Sequence, residues 1–350
     1  MPDSTAIQNA LTGLDDGAAV AVVPQTIHLP TLDAMRGIAS LSVCWFHFAD
    51  AQFTERFPVY QATGRYGYLG VQIFFVISGF IIPWSLFRAD YRISSFFRFL
   101  VKRIVRLDPP YLCSILIVLA GLTISSMTPG HHPYRISWPQ LLAHLGYINV
   151  FFGMPWFQMS YWSLAIEFQY YLFIGLAFAL FSRKGPLWSA ITAALFVAAA
   201  LILGQRKEFL PHHLPLFLLG ITAFRFKCLN ISRLDLALGI GAASAAAWFV
   251  DGPFEMTAGL ASCAAILFVN ASTQVLDFFG RISYSLYLLH VFIGNVVFGL
   301  AARRPGDLGI LKWILPWVAV GLSILAACIM YQLVELPSKR WSARITYRRA

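Results

Sequence analysis

Arg36 and His47 stand eleven residues apart in the stretch RGIASLSVCWFH, and every residue between them is apolar or small. At 100° and 1.5 Å per residue, eleven residues make three helical turns plus about 20°, so a helix here projects both side chains from one face with Cα atoms ~16 Å apart. A guanidinium grips phosphate through paired hydrogen bonds, and an imidazole takes or gives a proton near neutral pH. One face carrying both lines a groove with an anion site at one end and proton transfer at the other. A plainer reading, a snorkelling arginine and a core histidine bonded to a carbonyl, fits this spacing equally well.

Other polar residues fall at matching depths. Glu167, in the apolar stretch SYWSLAIEFQYYL, lies ~10 Å inside one boundary by helix rise, and His47 lies ~9 Å from the same boundary. A facing His and Glu make a general base with an orienting carboxylate; the plainer alternative for Glu167 is a structural hydrogen bond between helices. Arg103 and Arg106 in FRFLVKRIVRLDPPYL are three apart, share a helical face, and come to the boundary that Arg36 occupies. Such a cluster suits an anion as well as lipid headgroups. Pro109 and Pro110 are expected to reset the chain just after it. In GRISYSLYLLH, Ser283, Tyr287 and His290 recur at four and three on one stripe, with Tyr284 on an adjacent face. Gln72 is a cavity-lining candidate, and His144 a candidate for an acceptor's entrance.

The elements that position these residues are membrane spans. Of 350 residues only 12% are charged and 58% are hydrophobic, and mean hydropathy is +0.67, which excludes an ordinary soluble domain. Apolar runs near the ~20 residues that cross a bilayer cover 32–53, 68–87, 107–126, 160–182, 187–204, 209–226, 234–250, 256–273, 282–301 and 311–333. The expected fold is all-α, a polytopic membrane helical bundle of about ten transmembrane helices, with 139–153 a short re-entrant or interfacial helix. Lys and Arg mark cytoplasmic loops. With 139–153 not crossing, Arg88 to Arg106, Arg183 and Lys184, Arg225 to Arg233 and the basic C-terminus all fall inside. Both termini are then cytoplasmic: residues 1–30 form a flexible tail, 31–335 the membrane domain and 336–350 a basic tail.

The net charge of +10 thus reflects anchoring at membrane lipids, not nucleic acid. Five scattered cysteines indicate neither a disulfide framework nor a zinc site. His131 and His132, and His212 and His213 in PHHLP, resemble metal ligands. Adjacent side chains diverge, however, and no acidic or thiol ligand accompanies either pair, so no metal is expected. Residues such as these in a bundle also suit a transporter or flippase with an Arg/His/Glu-lined cavity.

On these same segments the chain resembles the integral-membrane acyltransferase type 3 family. LDAMRGIASLSVCWFHF carries its Arg-x10-His pattern at Arg36 and His47, and FFRFLVKRIVRLDPPYL its Arg-x-x-Arg motif at Arg103 and Arg106. SYWSLAIEFQYYL matches Trp-Ser-Leu-x-x-Glu at Trp162, Ser163, Leu164 and Glu167, ISYSLYLLH the late Ser-Tyr-x-x-Tyr-Leu-x-His motif, and VELPSKRW the closing Val-Glu-x-Pro signature. Phe168 stands where many relatives carry a second Glu.

The resemblance implies an acyltransferase of the bacterial cytoplasmic (inner) membrane, moving an acyl group, commonly acetyl from acetyl-CoA, to a hydroxyl of a surface polysaccharide or lipid-linked sugar. His47 and Glu167 are then the expected catalytic residues, and Arg36, Arg103 and Arg106 the donor's phosphate site. Trp162, Ser163, Tyr284, Tyr287, His290 and Gln72 are candidates for substrate or oxyanion contacts. Direct transfer and an acyl-histidine intermediate both remain open, and a homo-oligomer is compatible with the sequence.

Overall fold

The computed structural model describes residues 30–49, 58–127, 135–303 and 308–347. Thirteen α-helices account for most of them, and among the described residues there is no strand. They are α1 (Pro30–Ala49), α2 (Pro58–Gly64), α3 (Gly70–Arg88), α4 (Phe96–Ser126), α5 (Trp138–Leu145), α6 (Trp162–Phe181) and α7 (Pro186–Leu203). After them come α8 (Leu210–Leu229), α9 (Arg233–Val250), α10 (Pro253–Phe268), α11 (Gln274–Ala302), α12 (Leu311–Met330) and α13 (Leu336–Ala343). The expected tail 1–30, except Pro30, and the pair His131 and His132 lie outside the described residues.

Seven helical segments are long and apolar enough to cross a membrane, those ending at Arg88, Ser126, Phe181, Leu203, Val250, Ala302 and Ala343. The other three expected spans coincide with α1, α8 and α10. Helix α10 is apolar but has 16 residues, whereas α1 and α8 carry Asp33 and Arg36, and Arg225 and Lys227, within their lengths. Their surroundings explain why apolarity is not required of them. Every residue of α8 from His212 to Arg225 is buried, so this helix meets protein where a peripheral helix meets lipid.

Glycines bring the central helices to backbone contact. A Cβ on Gly280 of α11 would strike the Asp33 carbonyl of α1, and one on Gly220 of α8 would strike the Val76 carbonyl of α3. Such close approach is how membrane helices gain dispersion and packing where lipid supplies no hydrophobic drive. Paired contacts then give directions. Gly37 meets Gly280 and His47 meets His290, so α1 and α11 run parallel. Ser78 meets Glu167 and Tyr91 meets Gly175, so α3 and α6 are parallel. Arg103 lies over Tyr171 while Tyr111 packs on Tyr161, so α4 opposes α6. Arg36, Arg103 and Tyr171 therefore gather towards one end of the bundle, and His47 and Tyr161 towards the other.

One expectation about local structure is corrected. Pro109 and Pro110 do not reset the chain: α4 continues through both. Prolines remove donors to the carbonyls four residues back, here Val105 and Arg106. The neighbouring Leu107 carbonyl accepts from the Tyr284 hydroxyl at 3.0 Å, a contact from α11 beside the two prolines. The described part of the C-terminus is docked. Ser95 donates to the Tyr347 carbonyl (2.9 Å), Lys102 to that of Ile345 (2.9 Å), and the Tyr347 ring packs on Tyr91 at 5.8 Å.

The region 138–161 folds back into the bundle. Tyr147 stacks between Tyr111 (5.0 Å) and Phe168 (4.9 Å) and donates to Asp108 at 2.9 Å.

Candidate active site

Helices α1, α3, α4, α6 and α11 enclose a cavity of about 830 Å³, counting its open mouth. Arg36, Arg103, Arg106, Ser163, Glu167, Tyr284 and Tyr287 all line it, so the fold converges residues that the sequence spreads over 252 positions, from 36 to 287. Aromatic and aliphatic side chains such as Phe74, Ile81 and Leu164 supply the remaining wall. A narrow apolar chamber with cations at one end and hydroxyls further in suits a long amphipathic ligand with an anionic head.

At the cationic end Arg103 is buried. Its Nη2 donates to the Ser85 hydroxyl (2.8 Å), its guanidinium lies 5.4 Å from the Phe99 ring centroid and 5.5 Å from that of Tyr171, and its Nε has no partner. Arg106 feels the charges of Arg103, Arg36 and Glu335. Glu335, in the VELPSKRW motif, is not among the expected site residues. It is 1% exposed, pairs with Lys339 at 2.7 Å and accepts from the Ser285 N–H (3.2 Å) and hydroxyl (2.6 Å). A widened π turn over Tyr331–Glu335 takes up the ring of Pro337, which would otherwise meet the carbonyl four residues back. One carboxylate is thus spent on Lys339 and Ser285, and three guanidiniums remain to face the cavity.

Glu167 meets neighbours that its depth did not suggest. Its Oε1 accepts from Ser78 at 2.9 Å, and the Tyr171 hydroxyl lies beside it. Neither partner was anticipated, because each depends on which helices become neighbours. From His47 the side chains lead elsewhere. The His47 ring is 5.2 Å from that of His290, His290 is 5.8 Å from Tyr287, and the Tyr287 hydroxyl meets Ser163 Oγ at 2.6 Å, one helical turn before Glu167. His290 is fully buried. Its Nδ1 bonds the Leu286 carbonyl at 3.0 Å and so carries the hydrogen, while its Nε2 has no partner. On the far side of His47, Phe46 lies 5.1 Å away and borders a second hollow of about 900 Å³ beside α2 and Arg65.

Several candidates take supporting places. The Tyr284 hydroxyl is committed to the Leu107 carbonyl, and Ser283 bonds the Gly280 carbonyl at 2.8 Å. Trp162 stands behind Phe75, 6.3 Å away, outside the cavity lining. Gln72 is 7% exposed with its Oε1 unpartnered, and it too lies outside the lining. His144 is not at an entrance: it is fully buried, bonds the Gln140 carbonyl through Nδ1 (2.8 Å), accepts the Phe157 N–H at Nε2 (3.0 Å) and stacks on Phe157. Burial lowers its pKa below the ordinary 6.5.

At the other His pair the fold supplies what the sequence lacked. Asp251, at the end of α9, meets His212 and His213 at the start of α8.

A family model described as an acyltransferase domain matches residues 29–333. Acyltransferase MdmB of Streptomyces mycarofaciens is 31% identical over 186 residues, covering 51% of this chain and 46% of that protein. O-acetyltransferase OatA of Staphylococcus aureus (strain NCTC 8325 / PS 47) is 26% identical over 364 residues, covering 89% of this chain and 57% of that protein. The chain therefore spans about half the length of the curated relatives it matches. No solved structure matches.

Proposed function

The chain belongs to this acyltransferase family, and we propose that it moves an acyl group, acetyl in the simplest case, from cytoplasmic acyl-CoA to a sugar hydroxyl on the outer side of a bacterial cytoplasmic membrane. The observation that carries this reading is the convergence of Arg36, Arg103 and Arg106 at one end of a single cavity whose deeper wall holds Ser163 and Tyr287, next to the histidine pair. The donor's phosphates bind the three guanidiniums as charge-assisted pairs. Its pantetheine arm follows the apolar wall, and the thioester arrives near Ser163 and Tyr287. The acceptor enters through the hollow beside Phe46.

His47 takes the proton of the acceptor hydroxyl as its oxygen attacks the thioester carbonyl carbon. The new C–O bond forms, the C–S bond breaks, and the departing thiolate receives a proton. Ser163 and Tyr287 share one hydrogen bond, so one hydroxyl of the pair is left to donate to the oxyanion that develops between these steps. His290, with one nitrogen fixed by Leu286 and the other free, orients the His47 ring. Glu167, held by Ser78 beside Tyr171, keeps α3 and α6 aligned along the cavity and offsets part of its positive charge. The acceptor is a polysaccharide or a lipid-linked sugar, and both chain termini lie in the cytoplasm.

The test is His47→Ala. Purified in nanodiscs it should bind acyl-CoA as the wild type does, while acyl transfer to surface sugar, read by proton NMR of the O-acyl signals, falls by about 10²- to 10⁴-fold. Undiminished O-acylation in that variant would remove His47 from the chemistry.

A further inference from the structure

We propose that His212, His213 and Asp251 form a binding site for a transition-metal dication, zinc by its chemistry, which ties the start of α8 to the end of α9 and the α7–α8 turn. Their ligand atoms all lie within 4.8 Å of one another, and the side chains are only 7%, 5% and 2% exposed. Asp251 Oδ1 is 3.3 Å from His213 Nδ1 and 3.9 Å from His212 Nε2. Two ligands at 2.0–2.1 Å on a tetrahedral zinc stand about 3.3 Å apart, so one pair is already at the bound separation and the other needs a small closure.

Hydrogen bonding decides which nitrogens face the carboxylate. His212 Nδ1 meets the Gly204 carbonyl at 2.7 Å, and His213 Nε2 meets that of Lys207 at 2.9 Å. A carbonyl only accepts, so these two nitrogens carry hydrogens, and the opposite nitrogens turn their lone pairs towards Asp251. Metal-binding histidines are commonly set in this way, with the distal N–H fixed by a backbone carbonyl.

The result is a buried convergence of acceptors. His213 Nδ1 and Asp251 Oδ2 have no hydrogen-bond partner, which is costly away from water. A proton on His213 is a poorer remedy: 3.3 Å is long for a charge-assisted bond, and the His212 Nε2 lone pair would still face the carboxylate. A dication satisfies both nitrogens and the carboxylate together. Two imidazoles and one carboxylate suit zinc, with a water completing four ligands. Because the His213 ring packs on Phe75 (4.9 Å) and Trp162 (5.7 Å), the ion would also hold the wall behind the cavity. The site stands on its own residues and does not depend on the acyl-transfer reading.

The experiment uses the full chain carrying a tag without histidines, stripped with a chelator and reloaded with zinc or cobalt in nanodiscs. Expected are about one zinc per chain by mass spectrometry, the strong visible bands of four-coordinate cobalt, and a rise in Tm that zinc restores and magnesium does not. Asp251→Asn and His213→Gln should each lose the bound metal and the cobalt bands. A stripped wild type that takes up no zinc and keeps its Tm on zinc addition would overturn the site, leaving an imidazolium–carboxylate pair in its place. So would equal metal content in the wild type and a folded double variant. If the variants do not fold, the wild-type reloading decides alone.

Discussion

Two histidine pairs stand among the described residues, and they are built in opposite ways. His47 and His290 come from parallel helices far apart in sequence and meet ring to ring, His290 next to Tyr287 of the cavity lining and His47 next to Phe46 of the second hollow. His290 keeps one nitrogen free of partners. His212 and His213 are neighbours in sequence, each fixed by a carbonyl from the preceding turn, and both face a buried carboxylate. An imidazole that must exchange protons needs a free nitrogen and room for a substrate. One that holds an ion needs its tautomer locked and its lone pair aimed at a shared point. The difference teaches that burial alone does not assign a histidine; the groups at its two nitrogens do.

That contrast can be broken at several points. The largest effect after loss of His47 itself is expected at the cationic end. Each charge-assisted contact contributes about 1.5–3 kcal/mol, so Arg103→Ala with Arg106→Ala should weaken acyl-CoA binding roughly 10²-fold or more while leaving zinc content alone. Calorimetry with acyl-CoA in nanodiscs checks this, and unchanged affinity would detach the arginines from the donor.

Next, His290→Phe keeps an aromatic ring against His47 but removes the free nitrogen. If His290 orients the base, kcat drops by about 10²-fold, the lower end for a positioned proton-transfer group, and the pH profile shifts with KM little changed. A kcat equal to the wild type would make His290 a packing residue.

The smallest effect concerns His144, which belongs to neither pair. Its proton affinity is lowered in the folded state, so below pH about 6.5 the unfolded segment binds more protons than the folded one. Stability of the 138–161 fold-back should therefore be constant above that pH and decline as pH falls beneath it. Hydrogen exchange across the segment would follow the slope, and His144→Asn should flatten it.

Much of the active-site frame was legible because it rests on helical spacing. Arg36, Arg103 and Arg106 line one cavity, as their helical spacing and shared boundary suggest, whereas His47 is not part of that lining. What was not legible depended on contacts between distant helices. Ser78 and Tyr171 claim Glu167 because α3 and α6 become parallel neighbours, and no local pattern encodes that pairing. Asp251 is 38 residues beyond His213, and only the α8–α9 hairpin returns it. The two prolines of α4 read locally as a break, yet packing carried the helix through them.

Gly37 and Gly280 stand ten residues before His47 and His290 on α1 and α11, so both pairs share one sequence offset. The backbone contact at the glycines therefore works as a ruler for the histidines, about 15 Å along the axis. Sliding α1 by even one residue would drive a side chain into the space that only glycine leaves open, and would part the two imidazoles. A carrier that alternates between openings has to let such helices move past one another. Here the glycine contact fixes the register of α1 on α11, and under the proposed function it is the acyl group, not the helices, that has to cross the barrier.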